Sequence, residues 1–145
     1  MSAKEDKEKI IKSFEEYNAI KGDVSKAKSW VDRYYTPDSI THAPASGDMN
    51  FEQIKQYHVG QVGALLPAYN LKNVIVEGDS ACVQFTLNCN HQGTFMGIPP
   101  TGKKFQCEGA MIIKRSGDKM GEIWFYMDML NFMRQLGAIP TPVKK

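Results

Sequence analysis

An α+β fold is predicted for this chain of 145 residues, because its apolar periodicity switches once, near Asn70, from helical spacing to strand alternation. The length suits one domain around one core. A hydrophobic content of 42% beside 23% charged residues leaves enough apolar surface to bury, which excludes wholesale disorder. Helices followed by a run of antiparallel strands must cover one face of a curved sheet. Between them lies a core, or a pocket sized for a small organic molecule.

The first helix is marked by Ile10, Ile11, Phe14 and Tyr17, which share one face, and by Gly22 as its stop. Asp23 caps a second helix with the stripe Val24, Ala27, Val31 and Tyr34/Tyr35, ended by Pro37. A short strand, Ser39 to His42, and a loop, Ala43–Asp48, follow. Asn50 with Gln53 three residues on forms a capping box for a third helix, whose stripe is Phe51, Ile54, His58, Val62 and Leu65, closed by Pro67. Leu71 to Glu77 and Ala81 to His91 then read as a hairpin about Gly78-Asp79. Lys104 to Arg115 and Met120 to Met127 read as a second about Ser116-Gly117-Asp118. A last helix, Met129 to Leu136, ends at Gly137 with Pro140 beyond.

Both parities of the last strand are apolar: Ile123, Phe125 and Met127 on one side, Trp124 and Tyr126 on the other. One side meets the helices and the other is expected to meet a second subunit, giving a homodimer or homotetramer. The net charge of +2 is small, and the basic residues, including Lys103-Lys104 and Lys144-Lys145, build no clustered face, so nucleic acid is excluded as a partner. No apolar run is long enough to cross a bilayer, and the charged start leads into no signal-like segment, which predicts no membrane partner and a cytoplasmic protein. Cys82, Cys89 and Cys107, odd in number and without a C-x-x-C pair, read as inert free thiols.

Three stretches together resemble a known family. They are the loop His91 to Lys103, containing Gly97-Ile98-Pro99-Pro100-Thr101-Gly102-Lys103; Gly121 to Leu130, running into Arg134-Gln135-Leu136-Gly137; and, more weakly, Tyr34 to His42. They are similar to the SnoaL-like polyketide cyclases, also called ester cyclases, of the wider NTF2-like superfamily. The resemblance runs from about Trp30 to Pro140 of a single 1–145 domain, with residues 1–21 as a helical extension that carries no matching motif. It implies a cone: a strongly curved antiparallel sheet with helices closing an internal pocket. It also implies ring closure by intramolecular aldol chemistry, without metal or organic cofactor, with Asp128 in the acid/base position.

Asp128 shares strand parity with Trp124 and Tyr126, so its carboxylate is expected beside aromatic walls, where desolvation raises a carboxylate pKa. Its place just before the last helix equally suits an N-cap. Residue type alone favours the cap, and the resemblance favours the pocket acid. His42, His58 and His91 each fall on the apolar parity of their element and are expected to point inward. The ordinary reading of His58 is a hydrogen-bonded core residue. The resemblance puts His42 and His91 at the pocket border, suited to polarise a carbonyl. A three-histidine metal site is rejected, since no pair has ligand spacing.

The Gly97 to Lys103 segment has the spacing of a phosphate loop, but Pro99-Pro100 remove two backbone donors and no strand-to-helix context surrounds it. It reads as a rigid connection and pocket rim. Met96, Met111, Met127, Met129 and Met133 are candidates to line the pocket. The expected function is a cofactor-independent cyclase acting on a small apolar or polyketide-type carbonyl compound. Asp128 and His91 are its catalytic candidates, and His42, His58, Trp124 and Tyr126 its pocket residues. The alternatives are a non-catalytic small-molecule carrier, or a hydrolase or isomerase using the same pocket.

Overall fold

A computed structural model describes residues 2–43 and 46–139. Pro44 and Ala45 of the expected loop, Pro140 and the Lys144-Lys145 pair lie outside the described residues.

Four helices and six strands appear in the order α1 (Ala3–Asn18), α2 (Val24–Tyr34), β1 (Tyr35–Ala43), β2 (Gly47–Met49), α3 (Phe51–Leu65), β3 (Ala68–Glu77), β4 (Ser80–Asn90), β5 (Lys104–Ser116), β6 (Lys119–Met127) and α4 (Met129–Gln135). Local signals set the helix starts. Ser2 caps α1, Asp23 accepts from Ser25 and Lys26 at the head of α2, and Asn50 with Gln53 closes both halves of the capping box on α3. The α+β class stands, and among the described residues no helix is long and apolar enough to cross a membrane.

The strands form one sheet in the order β2-β1-β6-β5-β4-β3. Thr41 pairs with Ile123 and His42 with Trp124 in parallel register, while every other neighbouring pair is antiparallel. The sheet is therefore mixed rather than purely antiparallel. The reason is topological: β1 meets β6 only after the chain has passed through α3 and the β3–β6 meander, and so long a crossover permits parallel pairing. The short β2 was read from sequence as loop, since three residues carry too little alternation to register.

The helices cover one face of the sheet. Val83, Phe85, Leu87, Ile113 and Ile123 bury there, and Ile10, Phe14, Tyr17, Trp30, Val31, Ile54 and Leu65 come down on them. Residues 1–21, expected as an extension, supply part of this core. The Asn18 side chain bridges the backbone N–H and C=O of Tyr69, both at 2.7 Å, and Trp30 Nε1 donates to Ser13 O at 2.8 Å. An Asp6–Arg115 ion pair of 2.8 Å, with both side chains nearly buried, pins α1 to β5. Gly109 is required opposite Phe85: a Cβ there would lie 2.6 Å from Phe85 Cζ and 2.8 Å from Tyr126 O.

Among the described residues, nothing covers the other face. Ile40, Ile112 and Tyr126 are exposed on it, and the register sets Ile112 beside Trp124 and Trp124 beside His42, so the apolar row crosses three strands.

Candidate functional site

A cavity of about 240 Å³ opens between α3, the inner face of β6, the start of α4 and the β4–β5 loop. On α3, Gln56, Tyr57, Gly60 and Gln61 fall at i, i+1, i+4 and i+5, so one helix face presents them together. Phe125 and Met127 come from the inward parity of β6, and Met129 and Phe132 from the first turns of α4. The rim is Thr94, Phe95 and Met96. A tight turn, with Phe95 and Ile98 paired through both backbone hydrogen bonds, holds Met96 and Gly97 at positive φ.

That rim is anchored. Gln92 and Gly93 both donate to Ala64 O, at 2.9 and 3.1 Å, at the end of α3. A Cβ on Gly93 would come within 3.1 Å of Ala64 Cα, so glycine is what lets the loop seat against the helix.

Behind the cavity lies a second chamber of about 30 Å³, sharing Ala43, Tyr57 and Phe125 with the first. Tyr35, Thr41, Met49 and His58 are among its walls. Two of these, Tyr35 and His58, join a buried polar chain that runs on behind the wall: Tyr17 Oη donates to Gln61 Oε1 at 2.8 Å and meets His58 Nδ1 at 3.1 Å, and Tyr35 Oη lies 3.5 Å from His58 Nε2. Burial alone drives the His58 pKa down to about 4, so the ring is neutral at physiological pH. Burial, helped slightly by Cys89, pushes the Tyr57 hydroxyl up to about 12, and burial raises Tyr35 and Tyr17 as well. Among the described residues, neither chamber is lined by a carboxylate, lysine or arginine. The site suits an uncharged, largely apolar molecule with a few oxygen functions.

The sequence-derived site residues separate into three groups. His58 lies in the inner chamber wall and also in the core hydrogen-bond network. His91 is fully buried but walls neither chamber. It sits in the base of the β4–β5 loop, where its backbone pairs with Lys103 O and Gly102 N. Thr101 N–H donates to its Nδ1 at 3.2 Å, so the ring proton is on Nε2, which has no partner among the described residues. His91 holds the loop whose earlier residues line the cavity.

The third group lies outside the cavity. Trp124 and Tyr126 are on the uncovered sheet face, and Tyr126 is 56% exposed. His42 joins them there, stacked on Trp124 with ring centroids 5.4 Å apart. The expectation that His42 points inward is corrected: in β1 the buried positions are Tyr35, Ser39 and Thr41, so Ile40 and His42 face out. His42 Nε2 meets Glu122 at 2.7 Å and Nδ1 meets Asp48 at 2.6 Å; the Glu122 and then the Asp48 hydrogen bond raise its pKa.

Asp128 is exposed and caps α4, its Oδ1 accepting from Asn131 N–H at 3.1 Å. Its parity is indeed that of Trp124 and Tyr126, but that parity faces away from the cavity, so the expected aromatic pocket walls are absent around it. Its chain neighbours Met127 and Met129 both line the cavity, which puts Asp128 at the lip. Met96 lines the outer chamber and Met111 the inner, as expected of them, while Met133 lines neither.

Tyr57, Gln61, Thr41 and Phe125 were missed as site residues. For Tyr57 and Gln61 a signal existed, since they flank the inward stripe position of His58 on α3. Cys89 and Cys107 are buried free thiols whose pKa values burial pushes up to about 12 and about 11, which fits inert core residues.

Comparison with known proteins agrees with this architecture. The family model for SnoaL-like polyketide cyclases matches residues 15–136. AclR of Streptomyces galilaeus, whose assignment as a hydroxylase is provisional, superposes with a TM-score of 0.83 at 21% identity, covering 99% of this chain and 87% of its own. TsrD of Streptomyces laurentii gives 0.74 at 23% identity, with 90% and 96% covered. A protein of ketosteroid isomerase-like fold from Catenulispora acidiphila gives 0.64 at 16% identity, with 80% and 87% covered. At these identities the superpositions show the fold alone, which is the NTF2-like, ketosteroid isomerase-like one. No curated protein sequence matches this chain.

Proposed function

The chain belongs to the SnoaL-like polyketide cyclase family, matched over residues 15–136, and on that premise we propose that it closes rings in a small, uncharged polyketide-type carbonyl compound. The observation that supports this reading is the open-mouthed cavity of about 240 Å³, whose aromatic and thioether walls carry, among the described residues, only neutral polar groups. Such walls fold a flexible apolar chain while Tyr57 and Gln61 orient its oxygens.

In this mechanism Asp128 is the acid/base group. The helix cap uses Oδ1, and Oδ2 takes a proton from a carbon flanked by two carbonyls. The enolate carbon attacks a third, more distant carbonyl carbon of the same molecule, forming the new C–C bond of a six-membered ring. The resulting alkoxide recovers the proton, so the product is an isomer of the substrate. No cofactor takes part. His91 acts as a positioning residue through the rim loop. The uncovered sheet face, with His42, Trp124, Tyr126, Ile40 and Ile112, is the surface of a homo-oligomer. The three free thiols suit the reducing cytoplasm.

The test is incubation in D2O with a panel of synthetic tetra-β-carbonyl compounds, following deuterium uptake at the activated carbon and ring closure by mass spectrometry. Asp128→Asn is expected to lower both rates about 100-fold or more. Unchanged rates would remove Asp128 from the mechanism. A second reading, a carrier that binds without chemistry, is favoured by the absence of any carboxylate from the lining itself; binding with neither exchange nor closure would establish it.

A further inference from the structure

We propose that the inner chamber is a seat for one uncharged ligand oxygen, a ketone carbonyl or its enol hydroxyl, recognised by Thr41, Tyr35 and His58. This rests on the cavity being the ligand site but requires no catalysis. At about 30 Å³ the chamber holds one water-sized group and no more. It is continuous in its walls with the outer cavity, through Ala43, Tyr57 and Phe125.

The hydrogen-bond inventory there is incomplete. Thr41 Oγ1 is buried and has no partner among the described residues, a costly arrangement unless something fills it. Tyr17 gives its one hydroxyl proton to Gln61, so His58 donates to Tyr17 through Nδ1 and keeps a lone pair on Nε2. The contact from Tyr35 Oη to that lone pair, 3.5 Å, is at the limit of a hydrogen bond.

A carbonyl oxygen entering the chamber accepts from Thr41 and Tyr35, and an enol hydroxyl donates to His58 Nε2. A carboxylate does neither without losing its hydration uncompensated, since no cation among the described residues lines either chamber. The chamber therefore selects the ketone end of an aromatic or polyketide-like molecule and leaves its apolar body in the outer cavity.

The chain has two tryptophans, and Trp30 lines the inner chamber. With Trp124→Phe as background, Trp30 fluorescence reports binding of 2-acetylnaphthalene and of its hydrocarbon analogue, 2-ethylnaphthalene. The ketone is expected to bind about tenfold tighter. Thr41→Val, similar in shape, should abolish that preference while leaving the hydrocarbon within about twofold, and Thr41→Ser should restore it. Equal binding of the two probes, or a preference that survives both Thr41→Val and Tyr35→Phe, would overturn the oxygen seat alone. Binding of neither probe would overturn the cavity as a ligand site and the seat with it. Failure of ring closure leaves this measurement untouched.

Discussion

The two faces of the sheet are built from similar residue types and have opposite surroundings. On β6, Ile123, Phe125 and Met127 face the helices and cavity, while Trp124 and Tyr126 face outward beside Ile112. Each face also has a histidine. His58 comes down from α3 into the wall of the inner chamber and is held neutral by burial. His42 lies on the outer face between Glu122 and Asp48, which favour its charged form. Apolar content alone therefore does not tell the interior from an exposed face; what differs is the polar company each face keeps.

The sharpest way to break the comparison is to truncate matched aromatic residues. Phe85→Ala, on the fully buried inner face, is expected to cost about 3–5 kcal/mol, measured by urea denaturation. Next comes acid. His58 has a folded pKa of about 4 and binds its proton more readily when unfolded, so stability falls as pH drops from about 6.5 to about 4 and levels off below. The loss is about 3 kcal/mol, and His58→Gln should remove it.

Tyr126→Ala should change monomer stability by no more than about 0.5 kcal/mol, as at an exposed position. In sedimentation velocity it should shift the proposed oligomer toward smaller species; an unchanged profile would free that face of an assembly role. The smallest effect is at His42. Its folded pKa is raised, so its contribution is complete below about 6.5 and disappears as pH rises through the elevated value. The sign is opposite to that of His58. His42→Gln should flatten this alkaline limb in denaturation curves collected across pH.

The same two faces explain what was readable in the sequence. The caps of α2 and α3, the hairpin turns and the partition of β6 into two parities all follow from local chemistry. Parity separates residues into two sets but does not say which set lies inside. For β6, the shared parity of Asp128 with Trp124 and Tyr126, together with the family resemblance, placed Asp128 beside the cavity walls, whereas Phe125 and Met127 are the residues that line the cavity. For β1, Ile40 suggested an inward row, whereas Ser39 and Thr41 are the buried ones. Both assignments depend on where α3 lies, which is a tertiary fact. Tyr57 and Gln61 were missed because a polar residue next to a helical stripe looks like a solvated flank until a cavity is found beside it. The family motifs carried the overall cone, which periodicity could not have supplied.

The parallel pairing of β1 with β6 also governs when the molecule can form. Thr41 and Ile123 are register partners although about eighty residues separate them. As the chain leaves the ribosome, α1, α2 and β1 emerge with Phe14, Tyr17, Trp30 and Tyr35 before β6, the longer of the two strands beside β1, has been made. Loop closure of that span is entropically costly, and such non-local contacts slow folding. Assembly is therefore late and cooperative, and the aromatic N-terminal half is the portion of the nascent chain most in need of protection from aggregation.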